Sequence, residues 1–106
     1  MLINSVEQKF ELLIIPNIFS INGGGEWYDV VLCDDYEEAI REMKEDIATA
    51  TNEEYQKTIH YDIWEYDDED NVINEWVFDC NGKEIDNFEE WLNGLTEEEL
   101  KYFDEE

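Results

Sequence analysis

Residues 58–80 read TIHYDIWEYDDEDNVINEWVFDC and contain the clearest fold signal in the chain. Residues 58–66 alternate between two kinds of side chain, a period of two that predicts a half-buried β-strand. The side chains expected on its apolar face are Ile59, Tyr61 and Ile63. Those on the opposite face are His60, Asp62, Trp64 and Tyr66. Residues 67–71 predict a turn, and residues 72–80 predict the antiparallel return strand.

The return strand repeats the alternation. Val72, Trp76 and Phe78 are expected on the apolar face, with Glu75 and Asp79 on the other. Residues 81–82, Asn-Gly, are a strong signal for a type I′ hairpin turn. They allow one further short strand over residues 83–85.

Upstream, residues 9–15 predict a first strand that Pro16 stops. Residues 18–21 could extend it after a kink, and residues 22–25, Asn-Gly-Gly-Gly, predict a turn. A second strand is expected over residues 27–33, forming an antiparallel hairpin with the first.

A helix is expected directly after the second strand. Asp34 or Asp35 would cap it, and Asp35 with Glu38 has the spacing of a capping box. Apolar residues then recur at helical spacing as far as Ala50, and the helix should end near residues 51–52. The expected apolar face contains Tyr36, Ala39, Ile40, Met43, Ile47 and Ala50.

Two short helices are predicted at the C-terminal end. Residues 88–92 form the first, which residues 93–94, Asn-Gly, should break. Thr96 and Glu99 form a second capping-box pattern and open the last helix. Its expected inner residues are Leu100 and Phe103.

The predicted order is therefore ββ-α-ββ(β)-αα. This is an α+β fold with a mainly antiparallel sheet of four or five strands, one central helix and short C-terminal helices. No repeat or linker interrupts residues 1–106, which we interpret as a single small domain.

The composition is strongly acidic. The chain has 31 Asp and Glu against 6 Lys and Arg, a net charge of −25. Direct nucleic-acid binding through a basic face is excluded, because such a face needs Lys and Arg. Docking on anionic lipid is disfavoured for the same reason. The 14% aromatic content is too high for a typical disordered acidic chain.

The charge is concentrated in residues 53–106, which carry a net charge of −17. Solubility needs a net charge of only about 2 to 8 for a small domain, so another role is implied. A domain of this length should be roughly 33 Å across, and duplex DNA of that length carries about 20 charges. Strands can hold carboxylates in a fixed array that imitates these phosphates.

In size, charge and aromatic content the whole chain resembles the small acidic DNA-mimic proteins of phages and mobile elements, the anti-restriction and anti-CRISPR inhibitors. The resemblance implies a non-enzymatic inhibitor that blocks the DNA- or RNA-binding site of a cationic bacterial defence protein, a CRISPR effector or restriction enzyme. An immunity protein against a basic, nuclease-like toxin is the main alternative. An acidic adaptor or halophilic domain is a third.

The candidate partner-binding residues are the turn, its aromatic flank and acids on the strands and last helix. They are Asp62, Trp64, Glu65, Tyr66, Asp67, Asp68, Glu69, Asp70, Glu75, Asp79, Glu97 and Glu98. The expected partner is a basic nucleic-acid-binding protein, and the chain itself is expected to be a monomer or a homodimer.

Other chemistries fit poorly. The acidic turn lacks the Gly and Glu of an EF-hand loop, and residues 23–25, Gly-Gly-Gly, lack the Lys-Ser/Thr of a P-loop. His60 could pair with Cys33 or Cys80 as a nucleophile, but no local motif supports this. With 31 acids, a pair of carboxylates is uninformative. We predict no enzymatic activity, no metal site and no cofactor.

The expected location is the cytoplasm of a bacterial host cell. Residues 1–7 lack the basic region and long apolar run of a signal peptide. The longest apolar run, residues 12–15, is too short to cross a bilayer. The two cysteines are accordingly expected to be reduced thiols near strand ends.

Overall fold

The computed structural model describes residues 9–18 and 29–100, apart from the side chains of Glu98 and Leu100. The strands are β1 (Phe10–Pro16), β2 (Asp29–Cys33), β3 (Ile59–Tyr66) and β4 (Val72–Phe78). The helices are α1 (Tyr36–Ala48), α2 (Glu53–Gln56), α3 (Phe88–Asn93) and α4 (Glu97–Leu100). The strands form one sheet in the order β2-β1-β3-β4, and every neighbouring pair is antiparallel.

One face of the sheet packs against α1 and holds the main core. The alternation predicted this face correctly for the central strand, since Ile59, Tyr61 and Ile63 are all 1% exposed or less. The core residues are Leu12, Ile14, Cys33, Ala39, Met43, Ile59, Tyr61, Ile63 and Phe78. We call this the helix-covered face, and the other the second face.

Local capping fixes where α1 begins. The amide of Glu38 donates to Asp35 Oδ1 at 2.8 Å, as the capping-box spacing predicts. The return bond differs, because Glu38 Oε1 accepts from the amide of Asp34 rather than that of Asp35, at 2.7 Å. Both acids therefore belong to the ordered start of the helix.

The phenol of Tyr61 ties the sheet to two helices at the other end of the core. Its hydroxyl donates to Asp46 Oδ2 at 2.6 Å on α1 and accepts from Gln56 Nε2 at 3.0 Å on α2. Gln56 also donates to the carbonyl of Cys80. The buried phenol thus has partners for its polar end, which a large buried Tyr requires.

Several element boundaries differ from those that the sequence predicts. Helix α1 ends at Ala48, and residues 53–56 form a short helix that we did not expect. The second strand is described from Asp29 onward, and the expected features over residues 19–27 lie outside the described residues, as does Phe103.

The turn at residues 81–82 is not type I′, because only Gly82 has a positive φ, of 85°. Gly82 also lies against Ile47, whose Cδ1 would be 3.2 Å from an added Cβ. The predicted strand over residues 83–85 is reduced to an isolated bridge between Phe78 and Glu84.

An irregularity in β4 moves Val72 to the second face. Glu65 pairs with Asn74, but the next residue, Tyr66, pairs with Val72, so Ile73 is an extra residue. One inserted residue reverses the facing of everything beyond it in a strand with a period of two. Val72 therefore lies beside Tyr66, not on the face of Trp76 where the alternation predicted it.

Candidate functional site: the acidic end of the sheet

The sheet register brings two acidic segments to the same end of the molecule. Phe10 pairs with Cys33 on one side and with Glu65 on the other. Strand β2 and strand β3 therefore finish together, two strand spacings or about 10 Å apart. We call the acids at this point the acidic end. They are Asp34, Asp35, Glu65, Asp67, Asp68, Glu69 and Asp70.

The turn from β3 to β4 is held by the side chain of Asp67. Its Oδ1 accepts from the amides of Glu69 at 2.8 Å and Asn71 at 3.0 Å. These hydrogen bonds to the ionised form lower the pKa of the Asp67 carboxyl. Asp70 completes the turn with a φ of 67°, a left-handed conformation that Asp adopts more readily than most residues. The turn acids thus have a defined backbone geometry.

A single short ion pair crosses the acidic end among the described residues. Lys9 Nζ lies 2.7 Å from Asp68 Oδ1. The Asp68 side chain is 94% exposed, so the pair is screened by solvent and contributes little stability. Glu69 and Asp70 extend beyond it as exposed carboxylates.

Aromatic side chains border these acids on the second face. Trp64 and Tyr66 are half-buried, and their rings meet edge to face with centroids 6.3 Å apart. The Tyr66 hydroxyl donates to Glu11 Oε1 at 2.7 Å. Asn74 Nδ2 donates to Glu65 Oε1 at 2.8 Å on the opposite side of the sheet. An aromatic pair beside exposed acids is a typical composition for a binding surface.

Asp62 does not present a charge to solvent, contrary to the sequence-based expectation. It is 6% exposed, and its Oδ1 has no hydrogen-bond partner in the described structure. Burial, together with a hydrogen bond to Glu75 and the charge of that carboxylate, raises the pKa of Asp62 to about 9. The neutral acid donates to Glu75, which also accepts from Trp64 Nε1 at 3.3 Å. Glu75 is therefore the exposed acid at this position.

His60, on the same face, is buried under α3. Its ring lies 5.0 Å from that of Phe88 and 5.7 Å from that of Trp91, measured between centroids. His60 Nδ1 is 2.8 Å from Asn17 Oδ1, which requires the proton on Nδ1 because an amide oxygen only accepts. Burial lowers the pKa of His60 to about 4. The residue is thus a neutral core histidine.

Three predicted site residues are not part of the acidic end as the structure describes it. Asp79 follows β4 at the opposite end of the sheet, where its Oδ1 accepts from the amides of Asn81 and Lys83. Glu97 is exposed at the start of α4. The side chain of Glu98 lies outside the described residues. The structure therefore divides the predicted set instead of uniting it.

Sequence reasoning missed Asp34 and Asp35 as members of the site. The sequence predicts them only as helix caps, yet both are exposed and lie at the same sheet end as the acidic turn. The sequence does predict the hairpin of the first two strands and the turn between β3 and β4. These two features place the acids together only if β1 also pairs with β3, and the local pattern does not reveal that pairing.

The positions of the histidine and the cysteines bear on the other chemistries considered from the sequence. Cys33 lies on the helix-covered face and His60 on the second face, and burial raises the pKa of the Cys33 thiol to about 11. Neither cysteine is in a disulfide. Over residues 9–18 and 29–100, no three His, Cys, Asp or Glu side chains are grouped so that they could hold a metal ion. In the same ranges, no helix combines the length and apolar character needed to cross a membrane.

Comparison with known proteins identifies no relative of this chain. No family model matches the sequence, and neither the curated proteins nor the solved structures give a significant match.

Proposed function

We propose that this protein is a non-enzymatic inhibitor that imitates nucleic-acid phosphate charge and occupies the DNA- or RNA-binding site of a cationic defence protein. The observation that carries the proposal is the acidic end. Seven carboxylates from two separate segments are gathered there, with Lys9 as the neighbouring base. Charges placed this way attract a basic groove over a distance and speed association.

The ordered turn supports the same proposal. A phosphate backbone presents charges at fixed spacing, so an imitation must avoid the entropy cost of ordering flexible side chains on binding. The Asp67 carboxylate accepts two backbone hydrogen bonds within the turn, and these order the backbone that carries Asp68, Glu69 and Asp70. Trp64 and Tyr66 supply apolar contact area beside the charges, as interface anchors do.

The structure allows a cleaner test than neutralising the whole turn, because Asp67 must be kept. The test variant carries Asp68→Asn, Glu69→Gln and Asp70→Asn, and Asn tolerates the left-handed backbone at position 70. The control variant carries Glu54→Gln, Glu89→Gln and Glu90→Gln, which are exposed and lie on α2 and α3. Both variants lose the same net charge.

Each protein is immobilised and used to capture basic proteins from a bacterial lysate at low salt, and bound protein is eluted with heparin. We expect the test variant to bind the captured protein at least about tenfold more weakly than the control variant, because short-range charge contacts decide complex lifetime. Equal binding by both variants would contradict a site at the acidic end. Failure of heparin to displace the captured protein would contradict nucleic-acid mimicry. A dedicated toxin as the captured protein would support the immunity alternative.

A further inference from the structure

The outer edge of β4 is closed over only part of its length among the described residues. Strand β4 is the last strand of the sheet, so only its inner edge pairs with β3. Beyond it, the amide of Ile85 donates to the carbonyl of Val77 at 2.8 Å, and the amide of Asp79 donates to Lys83. Residues 83–85 therefore cover the C-terminal part of the outer edge of β4. Among the described residues, the part of this edge nearest the acidic end stays uncovered.

The uncovered part has backbone groups directed outward. The carbonyl of Val77 faces outward, since it accepts from Ile85, and alternate residues of a strand direct their backbone groups to the same edge. The amide and carbonyl of Glu75 therefore also face outward. Within the described chain, no backbone hydrogen bond to this outer side is formed at Glu75. An edge of this kind is a template for an additional strand.

Exposed apolar side chains accompany these groups. Val72 is 45% exposed and Ile73 is 51% exposed. Strand β2 at the opposite edge also has exposed apolar residues, Val30 at 43% and Leu32 at 53%, but there they alternate with half-buried Val31 and buried Cys33. In β4 all four residues from Val72 to Glu75 are exposed. Strand β4 thus offers both backbone hydrogen bonds and apolar surface to an incoming chain.

The acidic residues around this edge favour a basic strand as the incoming chain. The acidic turn immediately precedes Val72, and Glu75 is an exposed acid on the strand itself. A second copy of this chain would place like charges opposite each other, which is destabilising in a sheet. A basic strand would instead place Lys or Arg beside these carboxylates.

We propose that β4, from Val72 to Glu75, receives an extended basic segment of the partner as an additional strand. The segment would alternate basic and apolar residues, with its apolar side chains against Ile73 and its backbone bonded to Glu75. This proposal rests on the proposed function, because it assumes a cationic partner. The partner would then be held by backbone hydrogen bonds at the β4 edge as well as by charge at the acidic end.

The probe is a synthetic peptide of alternating Lys and Val. Its control has the same sequence with every backbone nitrogen methylated, which keeps charge and side chains but removes all N–H donors. Binding is measured at low salt by calorimetry, and amide hydrogen exchange is followed by NMR. We expect the methylated peptide to bind at least about tenfold more weakly, the effect of losing one or more hydrogen bonds. The unmethylated peptide should slow exchange at the Glu75 amide.

Two protein variants give a matched comparison. Ile73→Lys and Val30→Lys each add one positive charge at an exposed strand position, at opposite edges of the sheet. Lys on an edge strand discourages further pairing. We expect Ile73→Lys to weaken binding of the Lys-Val peptide about tenfold and Val30→Lys to weaken it no more than about twofold, since only the first blocks the proposed edge.

Equal binding of the two peptides without protection of Glu75 would overturn the edge site and leave the acidic end as a purely electrostatic surface. Binding by neither peptide would also overturn the edge site, while the proposed function would still be decided by its own capture experiment. Protection of Glu75 that rises with protein concentration in the absence of peptide would identify a second copy as the occupant and overturn the charge argument.

Discussion

His60 and Tyr66 lie on the same face of one strand, but the two ends of that strand have opposite environments. At the His60 end, Phe88 and Trp91 cover the sheet, and the ionisable groups are buried and neutral. At the Tyr66 end, the strand runs into an exposed acidic turn. One continuous polar face is therefore part core and part surface.

Polarity along a strand therefore does not decide exposure. Burying a carboxyl or an imidazole is costly unless it becomes neutral. Asp62 and His60 do so by pKa shifts in opposite directions, upward for the acid and downward for the base. The turn acids stay exposed, so their charge remains available to a partner.

The largest expected effect comes from uncovering the His60 end. Trp91→Ala removes a half-buried ring that packs on His60 and Phe88, and we expect a loss of about 3 kcal/mol in the free energy of unfolding. Trp64→Ala, at the exposed end, should cost about 1 kcal/mol. Urea denaturation monitored by circular dichroism measures both. Equal losses would show that the two ends are covered alike.

A smaller effect should follow from replacing the buried acid. The folded-state pKa of Asp62, about 9, lies above its ordinary value of 3.8. Its contribution to stability is therefore fully present below pH 3.8 and is lost as the pH rises towards 9. Asp62→Asn keeps the side chain neutral, so we expect it to raise the free energy of unfolding at pH 8 by about 2 kcal/mol.

The control for this prediction is Glu65→Gln, which removes a carboxylate from the same strand at the acidic end. Because Asp62 is unchanged in this control, its stability should fall between pH 5 and 8 as that of the wild type does. Loss of stability on acidification from pH 6.5 towards 4, where His60 gains a proton more readily when unfolded, should persist in Asp62→Asn. If Asp62→Asn were less stable than the wild type at pH 8, the raised pKa of Asp62 would be refuted.

The smallest effect separates two acids within the turn. Asp67→Ala removes the acceptor for two backbone amides, and we expect a clear fall in the urea midpoint of unfolding. Glu69→Ala removes an exposed carboxylate and should change stability by less than about 0.5 kcal/mol. Chemical denaturation of the two variants measures the contrast. Similar losses would mean that Asp67 does not organise the turn.

Much of the fold could be predicted because local patterns encode it. Alternation identified β3 and its buried face, and the spacing of Asp35 and Glu38 identified the start of α1. Thr96 and Glu99 form the predicted capping box, with bonds of 2.9 and 3.2 Å in the two directions. These features depend on residues a few positions apart, where propensity and capping act directly.

The failures arose where one extra residue or a distant segment intervened. The irregularity at Ile73 reversed the facing of Val72, and a turn with a single positive φ replaced the expected one at residues 81–82. Helix α3 covered part of a face that alternation marked as polar. Neither β-bulges nor helix docking has a strong signature in local sequence, because both depend on contacts across the fold.

The excess of acids, the alternating strands, the acidic turn and the helix caps can all be recognised in the sequence, since they follow from composition and from neighbours along the chain. Which acids lie close together, and which one is buried, depends on the packing of the sheet and helices. The pairing of β1 with both β2 and β3 placed Asp34 and Asp35 at the end of the sheet occupied by the turn. Packing on the second face buried Asp62 and neutralised it, because desolvation depends on everything that surrounds a group and not on its place in the sequence.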